Sequence, residues 1–236
     1  MQLLVYSGSL LVTILSLILS LYSLQAPTWI RFDTPAGSPL AFSSTYGLTQ
    51  KCDRSNLHPA FECRRFPDLG RDCSPPPAQL HPSNGTSHGH MAPLGGGTVR
   101  VDEDGRAGFG FCEQWNTAAY TAQLSVVVGV LNIFSTFVIL LGNSYRHAHG
   151  WKICAGLLAI HAFFQSVAWI LIVNVFNQDG RFYFGSRLST ATYVSIATTI
   201  VDLLLLTALV AAGFTGIFAS SSSTAAQDRS DYERIQ

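Results

Sequence analysis

Hydrophobic positions along this chain collect in four long blocks, and most polar positions lie between the first block and the second. The blocks cover 1–24, 118–142, 153–175 and 191–217. A helix needs about 20 mostly apolar residues to cross the hydrocarbon core of a bilayer, and each block is that long. The first three contain no Asp, Glu, Lys or Arg, and the fourth contains one, Asp202. Core helices of soluble proteins rarely run so far without a polar face. The pattern predicts four transmembrane helices joined by a long loop over 25–117, a short one over 143–152 and another over 176–190, with a tail over 218–236.

The first block invites comparison with a cleaved signal peptide. It has no basic residues at its start, and its apolar run exceeds the usual 7–15 residues of such peptides, so a retained helix is expected.

Composition sharpens this picture. Of 236 residues, 48% are hydrophobic and 12% charged, about half the charge of an ordinary soluble domain. The formal net charge is zero, so no basic surface argues for nucleic acid as a partner. The expected partners are the lipid bilayer and, laterally, this protein itself or other membrane proteins.

Basic residues do not set the orientation, because Arg146 and Lys152 balance Arg181 and Arg187. The long loop does. It holds Cys52, Cys63, Cys73 and Cys112, and the glycosylation sequon at Asn84. Paired cysteines and a glycan acceptor belong to the oxidising side of a membrane. Both termini are then expected in the cytoplasm, and the protein at the plasma membrane. Four cysteines allow three pairings, and Cys52–Cys63 with Cys73–Cys112 is the expected one. Within the loop, 74–108 is rich in Pro, Gly and Ser and poor in large apolar residues, so it reads as a mobile, glycosylated insert. Trp29-Ile30-Arg31-Phe32 and Leu40-Ala41-Phe42 alternate as short strands do. A small antiparallel sheet pinned by Cys52–Cys63 is expected.

Trp29, Gly47-Leu48 and the pair Cys52 and Cys63 resemble the first-loop signature of the claudin-like tetraspan superfamily: a Trp, a Gly-Leu-aromatic and two cysteines. Thr49 stands where many members carry the aromatic. Cys63-Arg64-Arg65-Phe66-Pro67 and Phe111-Cys112-Glu113-Gln114-Trp115 resemble the fungal branch, which includes PalI and eisosome-associated proteins. Members of the PalI type usually have long polar tails, whereas the tail here runs over 219–236. The resemblance implies an all-α integral membrane fold, a left-handed four-helix bundle carrying a small extracellular antiparallel sheet. It also implies a non-enzymatic role in organising membrane domains or cell-surface assemblies, or service as an accessory or sensing subunit of a channel, transporter, synthase or pH-signalling receptor.

Candidate chemistry is sparse. Ionisable groups at membrane depth are costly and so informative. Asp202 lies roughly 18 Å into the fourth crossing and His161 roughly 13 Å into the third from the opposite side, at 1.5 Å per residue. The two come to similar depth, with Gln165 one turn from His161 on the same face. A buried His161–Asp202 contact assisted by Gln165 is expected, acting to fix packing; a proton-linked switch is the functional alternative. Ala208, Ala212 and Gly216, and Ala155 with Ala159, offer faces for close helix approach. Cys154 reads as a small buried residue, with palmitoylation as the alternative. In the tail, Tyr232 and Ile235 bracket a motif of the kind clathrin adaptors read. His81, His88 and His90 lack neighbouring carboxylates, so no metal is expected, and no cofactor or catalytic motif is found.

Overall fold

The computed structural model describes residues 2–35, 41–56, 60–68, 70–73, 100–101, 107–108, 110–142, 144–178 and 182–215. Four helices dominate: α1 (Gln2–Gln25), α2 (Phe111–Leu140), α3 (Ser144–Gln178) and α4 (Thr190–Phe214). Each is long and apolar enough to cross a membrane. They pack as a ring in which α1 meets α2, α2 meets α3, α3 meets α4 and α4 closes back on α1.

The faces that meet are rich in small and hydroxyl-bearing residues. On α1 the buried positions are Tyr6, Ser9, Thr13, Ser16, Ser20 and Ser23, spaced alternately three and four apart. The other helices follow the same rhythm, through Ala118, Ala122, Ser125, Gly129, Asn132 and Thr136 on α2, and through Leu158, His161, Gln165, Ala168 and Ile172 on α3. On α4, Thr192, Ser195, Thr199 and Asp202 continue it. An inward repeat of 3.5 residues is that of a left-handed supercoil. Leu11, Leu15, Val127, Phe134, Phe163 and Leu204 point outward instead.

Among the described residues there are also seven short strands: β1 (Ile30–Asp33), β2 (Phe42–Tyr46), β3 (Gln50–Ser55), β4 (Glu62–Arg65), β5 (Arg100–Val101), β6 (Ala107–Gly108) and β7 (Arg187–Leu188). Five of them form one antiparallel sheet in the order β4-β3-β2-β1-β7. β5 and β6 pair separately. The first strand-like stretch seen in the sequence falls at β1; of the second, Leu40 lies outside the described residues and only Phe42 belongs to a strand, the first residue of β2, which runs on to Tyr46. β7 was not anticipated: the loop before α4 supplies the fifth strand, so both loops at this end of the bundle build one sheet.

The helix ends also differ from the pattern-based expectation. The segment 143–152, expected as a loop, is helical from Ser144 onward, so a short turn joins α2 to α3. α2 begins at Phe111, seven residues before 118, because its first turns carry Trp115 into the sheet core. At 30 residues, α2 is about 45 Å long and exceeds a hydrocarbon core of about 30 Å by several turns.

Candidate functional site

Of the residues resembling the first-loop signature, Trp29, Gly47 and Leu48 meet where the sheet joins the bundle, and Cys52 and Cys63 lie across β3 and β4 of that sheet. Trp29 follows α1 directly and is fully buried. Its indole N–H donates to the Ser23 carbonyl at 2.6 Å, its amide N–H donates to the Tyr46 carbonyl at 2.8 Å, and its own carbonyl accepts from the Ser189 N–H at 2.9 Å and the Thr192 hydroxyl at 2.8 Å. One residue thus ties α1 to β2 and to the start of α4. Gly47 sits in the turn after β2, where a Cβ would come within 2.8 Å of the Pro27 Cα. Only glycine lets the two backbones approach so closely. Leu48 is buried beside it, and its carbonyl accepts from the Trp115 indole N–H at 3.1 Å. Phe66 stands edge-on to Trp115 at 5.1 Å and to Tyr46 at 5.4 Å, within the range in which aromatic pairs attract beyond simple burial.

Two disulfides reinforce this knot. Cys52–Cys63 joins register partners of β3 and β4, and Cys73–Cys112 ties the segment after β4 to the first turn of α2. The paired cysteines are therefore Cys52 with Cys63 and Cys73 with Cys112. Between these bridges Arg64 grips Asp72 through both guanidinium nitrogens, at 2.7 and 2.8 Å. Burial pushes the Asp72 carboxyl up, but hydrogen bonds from Arg64 and the Asp68 amide outweigh it, so the group is held below the usual carboxylate range.

Inside the bundle a second constellation forms around His161, 1% exposed, and Asp202, fully buried. Their nearest atoms, Nε2 and Oδ2, are 3.2 Å apart. The contact departs from hydrogen-bond geometry, and Oδ2 has no other donor among the described residues. The contact is an ion pair only when Nε2 carries a proton as well as Nδ1. Ser16 on α1 donates to Asp202 Oδ1 at 2.7 Å. His161 Nδ1 lies 2.7 Å from the Ser125 carbonyl, which only accepts, so Nδ1 carries a proton. The Ser125 hydroxyl, 3.1 Å from Nδ1, donates onward to Gln165 Oε1 at 2.9 Å, and Gln165 Nε2 donates to Ser195 at 3.0 Å. The chain of contacts runs Ser16, Asp202, His161, Ser125, Gln165, Ser195 and touches all four helices. Gly129 gives the imidazole its room, because a Cβ there would lie 3.2 Å from the ring.

Sequence reasoning brought His161, Gln165 and Asp202 together but missed Ser16, Ser125 and Ser195. The signal was present as hydroxyls recurring three and four apart along otherwise apolar helices. The small-residue faces are only partly where the sequence suggested. Ala155 is buried, but Ala208 is exposed. Glycine permits close approach at Gly150, where a Cβ would lie 2.7 Å from Ile139, and at Gly213, where one would lie 2.7 Å from Trp151. Cys154 faces inward, with its sulfur 3.3 Å from the Thr136 hydroxyl.

Asn84, His81, His88, His90 and the motif at Tyr232 and Ile235 lie outside the described residues. Among the described residues no three His, Cys, Asp or Glu side chains gather as a ligand set. No family model matches this chain, and no curated protein matches it.

Proposed function

We propose that this chain is a multi-pass membrane protein of the claudin-like tetraspan superfamily, in the branch found in fungi. In this reading the sheet lies outside the cell and both termini lie in the cytoplasm of a plasma-membrane protein. The observation that carries the reading is the meeting of Trp29, Gly47 and Leu48 at the junction between sheet and bundle, with Cys52 and Cys63 bridging β3 and β4 of the same sheet. Residues spread over thirty-five positions of sequence thus help to build one small sheet and its seat on the bundle, which supports reading them as one signature. The outward Leu, Val and Phe side chains of the four helices suit lipid, and the disulfides at the sheet end suit an oxidising compartment.

Its role is to organise membrane domains or surface assemblies by lateral contact, without catalysis of its own. The internal polar chain supports this role, because its groups are spent on one another across all four helices rather than lining a pathway. The test is a pull-down of the full-length tagged protein in mild detergent, read by native gel and mass spectrometry. A ladder of homo-oligomers is expected. One large foreign partner at fixed stoichiometry would instead make the chain an accessory or sensing subunit of that complex.

A further inference from the structure

A groove of about 680 Å³ opens where the sheet edge meets the first turns of α4. Its head is formed by Arg31 of β1 and Arg187 of β7, which are direct register partners. Two like charges opposite one another weaken a sheet. Here both are drawn to a single carboxylate: Asp33 Oδ2 lies 2.8 Å from Arg31 Nε and 3.3 Å from Arg187 Nη2. One carboxylate cannot neutralise two guanidinium groups, so the groove keeps an excess positive charge at its head. Arg187 remains 72% exposed and free to reach a ligand. Below the arginines the wall changes character. Tyr193, 61% exposed, comes first, then Val194 and the exposed Ala197 along the outward face of α4. Ala197 is seven residues into α4 from Thr190, or about 10 Å along its axis.

We propose that this groove binds the phosphate of a membrane lipid, with Arg31 and Arg187 on the phosphate and an acyl chain lying along Val194 and Ala197. The proposal rests on the membrane reading above, which sets the arginines at headgroup level. Guanidinium forks match phosphate oxygens two at a time, and tyrosine is enriched at the boundary between headgroups and hydrocarbon. Free phosphate shares the chemistry of the head but has no use for an apolar floor, so the lower half of the groove selects the lipid.

The experiment uses the full-length protein, stripped of lipid in detergent, and native mass spectrometry with three probes: phosphatidylglycerol, diacylglycerol with the same acyl chains, and inorganic phosphate. Phosphatidylglycerol should be retained over diacylglycerol. R31Q and R187Q should each weaken it about tenfold, as the loss of one charged hydrogen-bonding group does. A197W fills the groove on an exposed face, leaves both arginines in place and should also abolish retention. That variant decides the matter if the arginine variants fail to fold. Equal retention of phosphatidylglycerol and diacylglycerol, or unchanged retention by A197W, would overturn the site. Inorganic phosphate bound as tightly as the lipid and indifferent to A197W would assign the head to a soluble anion and overturn the lipid. Alkaline extraction of the wild type from its membranes separates the two failures. Release refutes the membrane reading, whereas retention with variants that bind normally refutes the groove alone.

Discussion

The sheet end and the bundle solve the same packing problem with opposite materials. At the sheet end, Trp29, Ile30, Tyr46, Leu48, Phe66 and Trp115 close a core of large apolar side chains, fastened by two disulfides. In the bundle the interior mixes Ser, Thr, Asn, His, Gln and Asp with small residues and a few larger apolar ones such as Leu158 and Ile172, while most of the Leu, Val and Phe side chains face outward. Water rewards burial of apolar area, so a small domain beside water hides its aromatics. If the helices cross a membrane as proposed, lipid gives no such reward between them, and what remains is close packing and interhelical hydrogen bonding among small polar groups. The same chain thus carries two inverted codes, and the reversal falls within α2 itself, between Trp115 and Ser125.

The largest effect expected from this contrast is at Trp29. Trp29→Ala removes a fully buried indole and its bond to Ser23, and should cost about 3–5 kcal/mol. Trp29→Phe keeps most of the burial and should cost less. Phe134, of comparable bulk, is 67% exposed on α2, and Phe134→Ala should leave thermal melting in detergent almost unchanged. If the Phe134 variant melts as early as the Trp29 variant, the inversion is wrong, because the outward face would then be a packed one.

Next in size is the polar chain. His161→Leu leaves the Asp202 carboxylate buried with Ser16 alone, and stranding one partner of a buried pair costs about 3 kcal/mol or more. Replacing both residues by Leu should cost less than the two single changes added together, since no charge is left stranded. In Asp202→Asn the side-chain oxygen still accepts from Ser16, and the amide N–H faces Nε2, which can accept once the imidazole is neutral with its proton on Nδ1. It should fall within the ~0.6 to ~2 kcal/mol of ordinary interhelical contacts. Additivity across the cycle in detergent unfolding would mean that His161 and Asp202 do not act as a unit. Loss of a pH response in a well-folded Asp202→Asn protein would favour a proton switch over a packing role.

The four helices were legible because uncharged apolar runs of about 20 residues or longer suit a bilayer and little else. His161, Gln165 and Asp202 were legible because polar and ionisable groups stand out against an apolar background. Ser16, Ser125 and Ser195 were not, because a lone serine in a membrane helix satisfies itself readily on a backbone carbonyl, as Thr13 does on Ser9. Their role shows only when four helices are laid side by side. β7 was hidden for a different reason. Two residues, Arg187 and Leu188, cannot display an alternating pattern, and their pairing with β1 is dictated by where α3 and α4 deliver the chain. The helical start at Ser144 was missed because polar residues in 143–152 look like a loop, although nothing in them forbids a helix.

The smallest effect separates the two regions by their dependence on pH. Arg64 and Asp72 form a two-pronged ion pair beside the Cys73–Cys112 bridge, on the watery side of the contrast. Such partly exposed pairs contribute about 0.2–1 kcal/mol, and the double contact puts this one toward the upper end. The folded state holds the Asp72 carboxyl below its ordinary value of 3.8, so the unfolded chain takes up a proton first as pH falls. The pair therefore stabilises the protein fully above that value and ceases to do so once the folded carboxyl is itself protonated. Arg64→Ala should lower the melting temperature at pH 7, and its penalty should shrink as pH falls through the acid range in which the folded carboxyl takes up its proton. The penalty of Trp29→Ala, a matter of packing, should persist across that range. An Arg64→Ala penalty that stays constant as pH falls would mean the guanidinium acts through its contact with the Phe66 ring, 5.8 Å away, and belongs to the aromatic core after all.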